Sequence, residues 1–312
     1  MNLRQVSPGD PVSSIGLDGL FEGCSILQDA QFYAKGGDLD RLENPTDAIG
    51  SDTITRALNA ANTPTTKTPH YGNLTKKIVS RTISVDNIVG QRVGDMVAEL
   101  GKNSRTEMRQ VGYRLQNMFL NGDDGAVVTD FDGFANLVDA SKVLAGDLLG
   151  MIVPVGGDVV MDLQQTAVER LLSVAAFCRA FFQKRITAYM NPLLHIRWVT
   201  VAKKLGFYLP IQEIGETIDT IRGDIVLRSV GLDEDGDAFL PFTETPNGGN
   251  SSSIWLVGWG EGEGVTCLTS AGLVGEYKPG ANIFGYNQYD LDMTLGVQDK
   301  NALVQSPGWK LS

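Results

Sequence analysis

Histidine and cysteine are the scarcest chemistry-bearing residues in this chain of 312 residues, with two of the first and three of the second. Cys24, Cys178 and Cys267 stand far apart, a dispersal that argues against a disulfide framework and against a zinc cluster. Cys178 falls on an apolar helical face and reads as a small core hydrophobe. Neither His70 nor His195 sits in an HExxH motif or in any other metal-ligand spacing. No apolar run approaches the ~18 residues of a membrane-spanning helix. The opening MNLRQVSPGD has no apolar stretch after its one arginine, so no secretory leader is expected and the chain reads as cytosolic in origin. Positive charge is also in deficit. The chain has 26 Lys and Arg against 37 Asp and Glu, a formal charge of -11. Gripping nucleic acid over a whole surface needs cations for the phosphates, so that class is a poor fit. An acidic surface remains compatible with a container whose wall does not hold its contents.

What is present is ordinary globular composition, 42% hydrophobic and 20% charged, in a chain long enough to bury roughly 75% of its unfolded surface. Glycine is abundant at 36 residues, which suggests many turns. Residues 1 to about 60 carry Gly, Asp, Pro and Ser with scattered apolar residues. They read as an irregular arm that must dock on something larger, with one short helix over Ile54–Ala61. The polar, Pro-broken NTPTTKTPHYGN then leads into a strand in which Val79, Arg81, Ile83 and Val85 alternate with Ser80, Thr82 and Ser84. With Lys76 and Lys77 exposed, this region reads as a projecting hairpin or loop.

Two helices are expected next. In the first, Val93, Met96, Val97 and Leu100 share a face and Gly101 supplies the stop. In the second, Ser104 and Glu107 have capping-box spacing, Met108, Val111, Leu115 and Met118 line one face, and Asn121-Gly122 ends it. An α/β region follows. Asp162 caps a helix with Leu163, Val168, Leu171, Leu172, Ala175, Cys178 and Phe182 at its apolar positions. ITAYM reads as a buried strand, and Asn191-Pro192 opens a helix through Leu194, Trp198, Val201 and Leu205 to Gly206. From Tyr208 on the pattern is β. DIVLRSV and SSIWLVGW read as strands, GEGEG at 260–264 as a hairpin turn before VTCLTS, and YDLDMTLGV as the clearest alternation. The class is α+β.

Candidate chemistry is thin. Asp233, Asp235, Asp237 and Glu244 take places one, three, five and twelve of a calcium loop. Ala238 stands where that loop needs Gly, and Pro241 intrudes, so Asp233–Glu244 reads as a solvated loop. GWGEGEG fails the phosphate-loop spacing and carries Glu261 and Glu263, which would repel phosphate. Asp123, Asp124, Asp130 and Asp132 crowd a wet glycine-rich loop with ordinary acidities expected. There is no Gly-x-Ser-x-Gly elbow and no Cys-His pair with an evident third member. No catalytic, cofactor-binding or metal-binding residue is therefore nominated, and a monomeric calcium-dependent binding module is only a distant alternative.

The order of elements carries more than any single motif. RTEMRQVGYRLQNMFLNGDD followed by FDGFANLV, then ITAYMNP, RGDIVLRSV, SSIWLVGWGEGEGVTCLTS and YDLDMTLGVQDKNALVQ, is similar to the series found in tailed-bacteriophage major capsid proteins. The resemblance runs over about residues 75–305. It implies the Hong Kong 97-type fold: an N-terminal arm at 1–60, an extended loop at 61–88, and a peripheral domain with its spine helix at 89–135. An axial domain would follow at 136–260, and C-terminal strands at 261–312 would return to the peripheral domain. It further implies a non-enzymatic shell subunit that assembles as hexamers and pentamers around double-stranded DNA contacted weakly. Such a protein is made in the host bacterial cytoplasm, ends in the virion, and has a scaffolding protein and a portal as assembly partners and no membrane partner. No charged helical segment precedes the arm, so a separate scaffold or a mature form is expected. Some relatives crosslink a loop lysine to a neighbour's asparagine; Lys67, Lys76 and Lys77 lie in that region, and nothing identifies partners for them. An encapsulin, the cellular compartment of the same fold, is the nearer alternative.

Overall fold

The computed structural model of the chain describes residues 1–34, 39–43, 71–85, 95–144, 160–179, 185–213, 216–244, 251–260, 264–280 and 285–310. The helix expected at Ile54–Ala61, and His70, Lys67, Val93, Phe182, Glu261 and Glu263, lie outside those residues. In place of an irregular arm, residues 1–34 form α1 (Leu3–Val6), α2 (Pro11–Gly23), α3 (Ile26–Asp29) and β1 (Phe32–Ala34). Asp10 starts α2. Its carboxylate accepts the Ser13 N–H at 2.8 Å, and Pro11 needs no donor at the first helical position.

The glycines that suggested irregular chain line the buried face of α2, with Gly16, Gly19 and Gly23 among its buried residues. They bring α2 backbone to backbone against the long helix α4 (Met96–Asn121). A Cβ on Gly23 would lie 2.9 Å from the Gly112 Cα, and one on Gly112 would lie 2.7 Å from the Leu20 carbonyl oxygen. Gly16 meanwhile makes room for the Tyr289 ring. The irregular-chain reading fails for residues 1–34 because glycine serves close approach here, and the approach buries Leu17, Leu20, Cys24, Ile26 and Leu27 in the main core.

Helix α4 is continuous where two helices were expected. Asp95 caps it by accepting the Ala98 N–H at 3.0 Å. Gly101 is interior, and Ser104 is fully buried with its hydroxyl accepting from the Asn287 amide at 2.9 Å. Glu107 faces Arg81 as an ion pair and closes no capping box. A single interior glycine costs only about 1 kcal/mol, and packing of Met108, Leu115, Met118 and Phe119 against the core outweighs that. Gly122 ends the helix as expected. The turn then folds back: the Gly133 N–H donates to the Gly122 carbonyl at 2.9 Å, and the Asn136 amide donates to the same oxygen at 2.6 Å. This seats α5 (Phe134–Leu137), whose Phe134 ring lies 6.2 Å from Tyr189 and 6.0 Å from Trp255.

Two sheets organise the rest. The first has the order β1-β11-β13-β12, with β4 also on β13. Its strands are β4 (Lys77–Val85), β11 (Val265–Thr269), β12 (Leu273–Pro279) and β13 (Gly285–Val297). The alternation foreseen in β13 holds from Gly285 to Met293, with Asp290 and Asp292 on the outer face. The second sheet runs β14-β10-β5-β9-β8, from β5 (Ile186–Met190), β8 (Thr220–Ile221), β9 (Ile225–Ser229), β10 (Ser252–Val257) and β14 (Leu303–Trp309). Strands β5 and β10 are buried at every position because both faces are covered. Tyr189, Trp255 and Val257 join the core under α4. Ala188, Ile254 and Leu256 join a second core with α6 (Val160–Arg179) and α7 (Pro192–Lys204), where Trp198 and Trp309 meet edge to face at 5.3 Å.

Three further readings are corrected. Strands β10 and β11 belong to different sheets, so residues 260–264 connect the sheets and do not close a hairpin. Helix α6 begins before Asp162, which lies in its first turn and not at the cap. Residues 261–312 do not all return to the unit of the long helix, since β14 pairs with β10. The opening of α7 holds as read: Asn191 accepts the Leu193 N–H at 2.8 Å, and Gly206 past the helix end has φ +72°.

Two glycines in α4 should respond in opposite ways. Gly112→Val forces two backbones apart and should lower unfolding free energy by at least about 2 kcal/mol. Gly101→Ala, whose new Cβ would meet only Ile15 at 3.6 Å, should raise it by about 0.5–1 kcal/mol. Urea titrations of both variants check the assignment, and equal effects would show that the helix crossing is misplaced.

Candidate assembly surface

Most of the described acids singled out for chemistry hold local turns or pair with nearby cations. Asp123 accepts the N–H groups of Gly125 and Ala126 at 2.9 and 3.1 Å, and Asp132 accepts that of Asp124 at 3.0 Å. Asp124 pairs with Lys77 at 2.5 Å, and Asp130 with Arg114 at 3.5 Å. Lys77, expected to be exposed, is only 12% exposed and also donates to the Val128 carbonyl at 2.8 Å. In the acidic loop, Asp233 spends one oxygen on the N–H groups of Asp235 and Asp237, at 3.0 and 2.8 Å. Glu244 stands apart with its carboxyl pushed up by burial. Among the described residues no three His, Cys, Asp or Glu side chains gather as a metal site. All three cysteines are buried. Burial pushes the Cys24 thiol up to about 12 and raises that of Cys267 as well, which removes the thiolate that reactivity requires.

Two arrangements were not foreseen. The first ties the N-terminal segment to the second sheet. Asp29, at the end of α3, receives the Arg228 guanidinium through Nη2 at 3.0 Å and Nε at 3.1 Å. The fully buried Tyr189 donates to the same carboxylate at 3.2 Å and accepts the Trp259 N–H at 3.0 Å. A fork-on-carboxylate pair this sheltered is short-range and directional. Sequence spacing could not find it, because Asp29 and Arg228 are 199 residues apart.

The second lies beside it on α7. His195 Nε2 is 3.4 Å from Asp219, which also accepts the Tyr208 hydroxyl at 2.7 Å. Burial, aided by Arg228, holds the His195 imidazole below its ordinary 6.5, with Asp219 opposing. This histidine is a wedged structural residue with no nucleophile or metal partner beside it among the described residues.

Strands β2 (Leu39–Glu43) and β3 (Tyr71–Thr75) pair antiparallel. An open groove of ≈ 300 Å³ lies between β4 and α4, lined by Ile78, Val79, Arg81, Gln110, Val111 and Arg114. Arg81 and Glu107 border it and also the neighbouring hollow of ≈ 440 Å³. No helix among the described residues is long and apolar enough to cross a membrane.

No protein-family model and no curated protein matches the sequence. Solved structures do. The holo-SrpI encapsulin complex from Synechococcus elongatus PCC 7942 aligns with a TM-score of 0.60 at 12% identity, over 98% of this chain and 94% of that one. The capsid of a native GTA particle aligns at 0.54 and 12%, over 95% and 91%. The capsid of cyanophage P-SCSP1u aligns at 0.50 and 11%, over 91% and 87%. The chain has the Hong Kong 97-type capsid fold. The Asn-Gly-Asp turn and Phe-Asp-Gly segment that carried the resemblance are the residues that turn the chain back at the end of α4.

Stability should fall in mild acid because of His195. Its folded form is the weaker base, so the unfolded chain takes the proton first as pH drops through 6.5. The loss then levels off below the folded value. Thermal melts between pH 8 and 5 should show that loss in the parent chain and a flatter profile in His195→Gln; identical profiles would remove His195 from the account.

Proposed function

We propose that the chain is a shell-forming subunit, the major capsid protein of a tailed phage, which assembles as hexamers and pentamers into an icosahedral head around double-stranded DNA. The observation that carries this reading is the fold overlap over almost the whole chain with subunits of an encapsulin and of a GTA capsid. A non-enzymatic role is supported by the same overlap, since those neighbours are shell and capsid subunits. On this reading the spine helix with the first sheet is the peripheral part, and α6, α7 and the second sheet are the axial part. The extended loop is then assigned to residues 39–75, earlier than 61–88, because β4 is built into the first sheet. A scaffolding protein and a portal are the assembly partners proposed, with assembly in the host cytoplasm and residence in the virion.

An encapsulin-type compartment is the second reading, favoured by the overlap with the SrpI shell at a TM-score of 0.60. Content separates the two, protein cargo in one case and DNA in the other. The charge of -11 suits an inner wall along which DNA slides.

Negative-stain microscopy of the purified chain, alone and with a candidate scaffold, tests the reading. Closed shells or capsomer rings are expected, and a uniform monomer under every condition would sink it. Leu115→Asp places a charge at a fully buried position of the spine helix and should yield no particles. Purified shells should bind duplex DNA only weakly at ~0.15 M salt, and tight binding would contradict the sliding wall.

A further inference from the structure

Helix α7 has two chemically opposite ends. At its start, Asn191 donates to the Leu240 carbonyl at 2.7 Å, and the Val230 N–H donates to the Met190 carbonyl at 3.1 Å. The acidic loop 231–239 therefore leaves and returns at the N-terminal end of α7. That loop is rigid. Leu232 bridges to Ala238, the Asp233 N–H donates to the Asp237 carbonyl at 2.8 Å, and Asp233 holds two further N–H groups. Its tip presents Glu234, Asp235 and Asp237 to solvent. Leu232 is 48% exposed beside them, and Leu193 and Ile196 on α7 itself are 54% and 61% exposed.

The other end is basic. Lys203 and Lys204 close α7 and are exposed. The chain then returns so that the Arg222 N–H donates to the Phe207 carbonyl at 2.8 Å, which sets exposed Arg222 at the same end, with Leu209 54% exposed nearby. Thirteen helical residues separate the two ends by about 20 Å, several times the reach of an ion pair. Among the described residues none of Lys203, Lys204, Arg222, Glu234, Asp235 and Asp237 takes part in an ion pair.

We propose that the acidic end of α7 on one copy docks against the basic end of α7 on a second copy, head to tail. Each end pairs charged residues with exposed leucine or isoleucine, so the two are complementary in both respects. A head-to-tail contact uses different surfaces on the two partners and closes into a ring when the rotation permits. The backbone at both ends is hydrogen-bonded before contact, which lowers the ordering cost of association. The inference rests on the shell reading and adds the contact that sets subunits side by side within a ring.

Charge reversal tests it. The variants E234K/D235K/D237K and K203E/K204E each place like charges across the contact. Each should lose rings and shells at least about tenfold by sizing and microscopy, with far-UV circular dichroism unchanged. The chain carrying all five reversals restores complementarity and should assemble again. Single-end variants that assemble like the parent chain overturn the inference, and so does failure of the five-reversal chain to recover while it remains folded. A parent chain that never leaves the monomer overturns the shell reading itself, whereas parent shells indifferent to these changes overturn only the docking.

Discussion

The packing of the N-terminal segment depends on the backbone contact between α2 and the long helix α4. Gly19, Gly23 and Gly112 remove the side chains that would separate the two helices, and backbone atoms fill the space. Once α2 is fixed there, Ser7 and Ser13 fall in line with β12 and accept the N–H groups of Leu273 and Gly275 at 2.9 and 2.8 Å. The following turn carries Phe32 alongside Cys267, so β1 can add in parallel to β11. These strands are far apart in sequence, and chain entropy opposes their meeting. A close helix crossing that buries apolar residues supplies the template on which they collect.

The second sheet meets that template through its own inner face. A strand covered on one side alternates, while a strand covered on both sides is apolar throughout. Strands β5 and β10 are of the second kind, and their alternate residues feed two cores at once. Phe134 fills the space between α4 and Trp255. The Asp29–Arg228 pair closes the remaining edge, with the Tyr189 hydroxyl donating to Asp29 and accepting the Trp259 N–H. An ion pair so enclosed gives orientation more than net stability, because its desolvation cost offsets its attraction.

Sequence pattern made some of this legible and concealed the rest for identifiable reasons. Strand β13, the buried ITAYM and the Asn191-Pro192 helix start are local signals, and each matched what packing demands. The N-terminal segment was misread because glycine permits both loose chain and the closest helix contacts, and composition cannot separate the two uses. Their i, i+3, i+7 spacing in Gly16, Gly19 and Gly23 was the available signal. Gly101 and Ser104 suggested a break in the spine helix, and the buried Asn287 amide that employs Ser104 comes from 183 residues away. The pairing of β14 with β10 and the union of Asp29 with Arg228 are likewise long-range facts with no local trace. Among the acids in the loops, Asp123, Asp132 and Asp233 accept backbone N–H groups of their own turns, a local role that Asp beside Gly already suggests.

A chain of charge -11 repels copies of itself, so any assembly of it needs a local answer to a global repulsion. Screening decides how that answer can work. At physiological salt the field of distant charges fades within ~8 Å, so the net charge of one subunit is felt weakly by its neighbour. Opposite charges brought to contact inside that distance are not screened away, and their sign is set by which end of which element they occupy. Segregating acids into a rigid loop at one end of α7 and cations at the other therefore lets an acidic protein associate in one direction and resist association in others. Each contact can be weak, since a subunit in a closed lattice makes many at once and their effect multiplies. The same acidity that hinders casual aggregation leaves ordered association to the few surfaces where the charge pattern reverses.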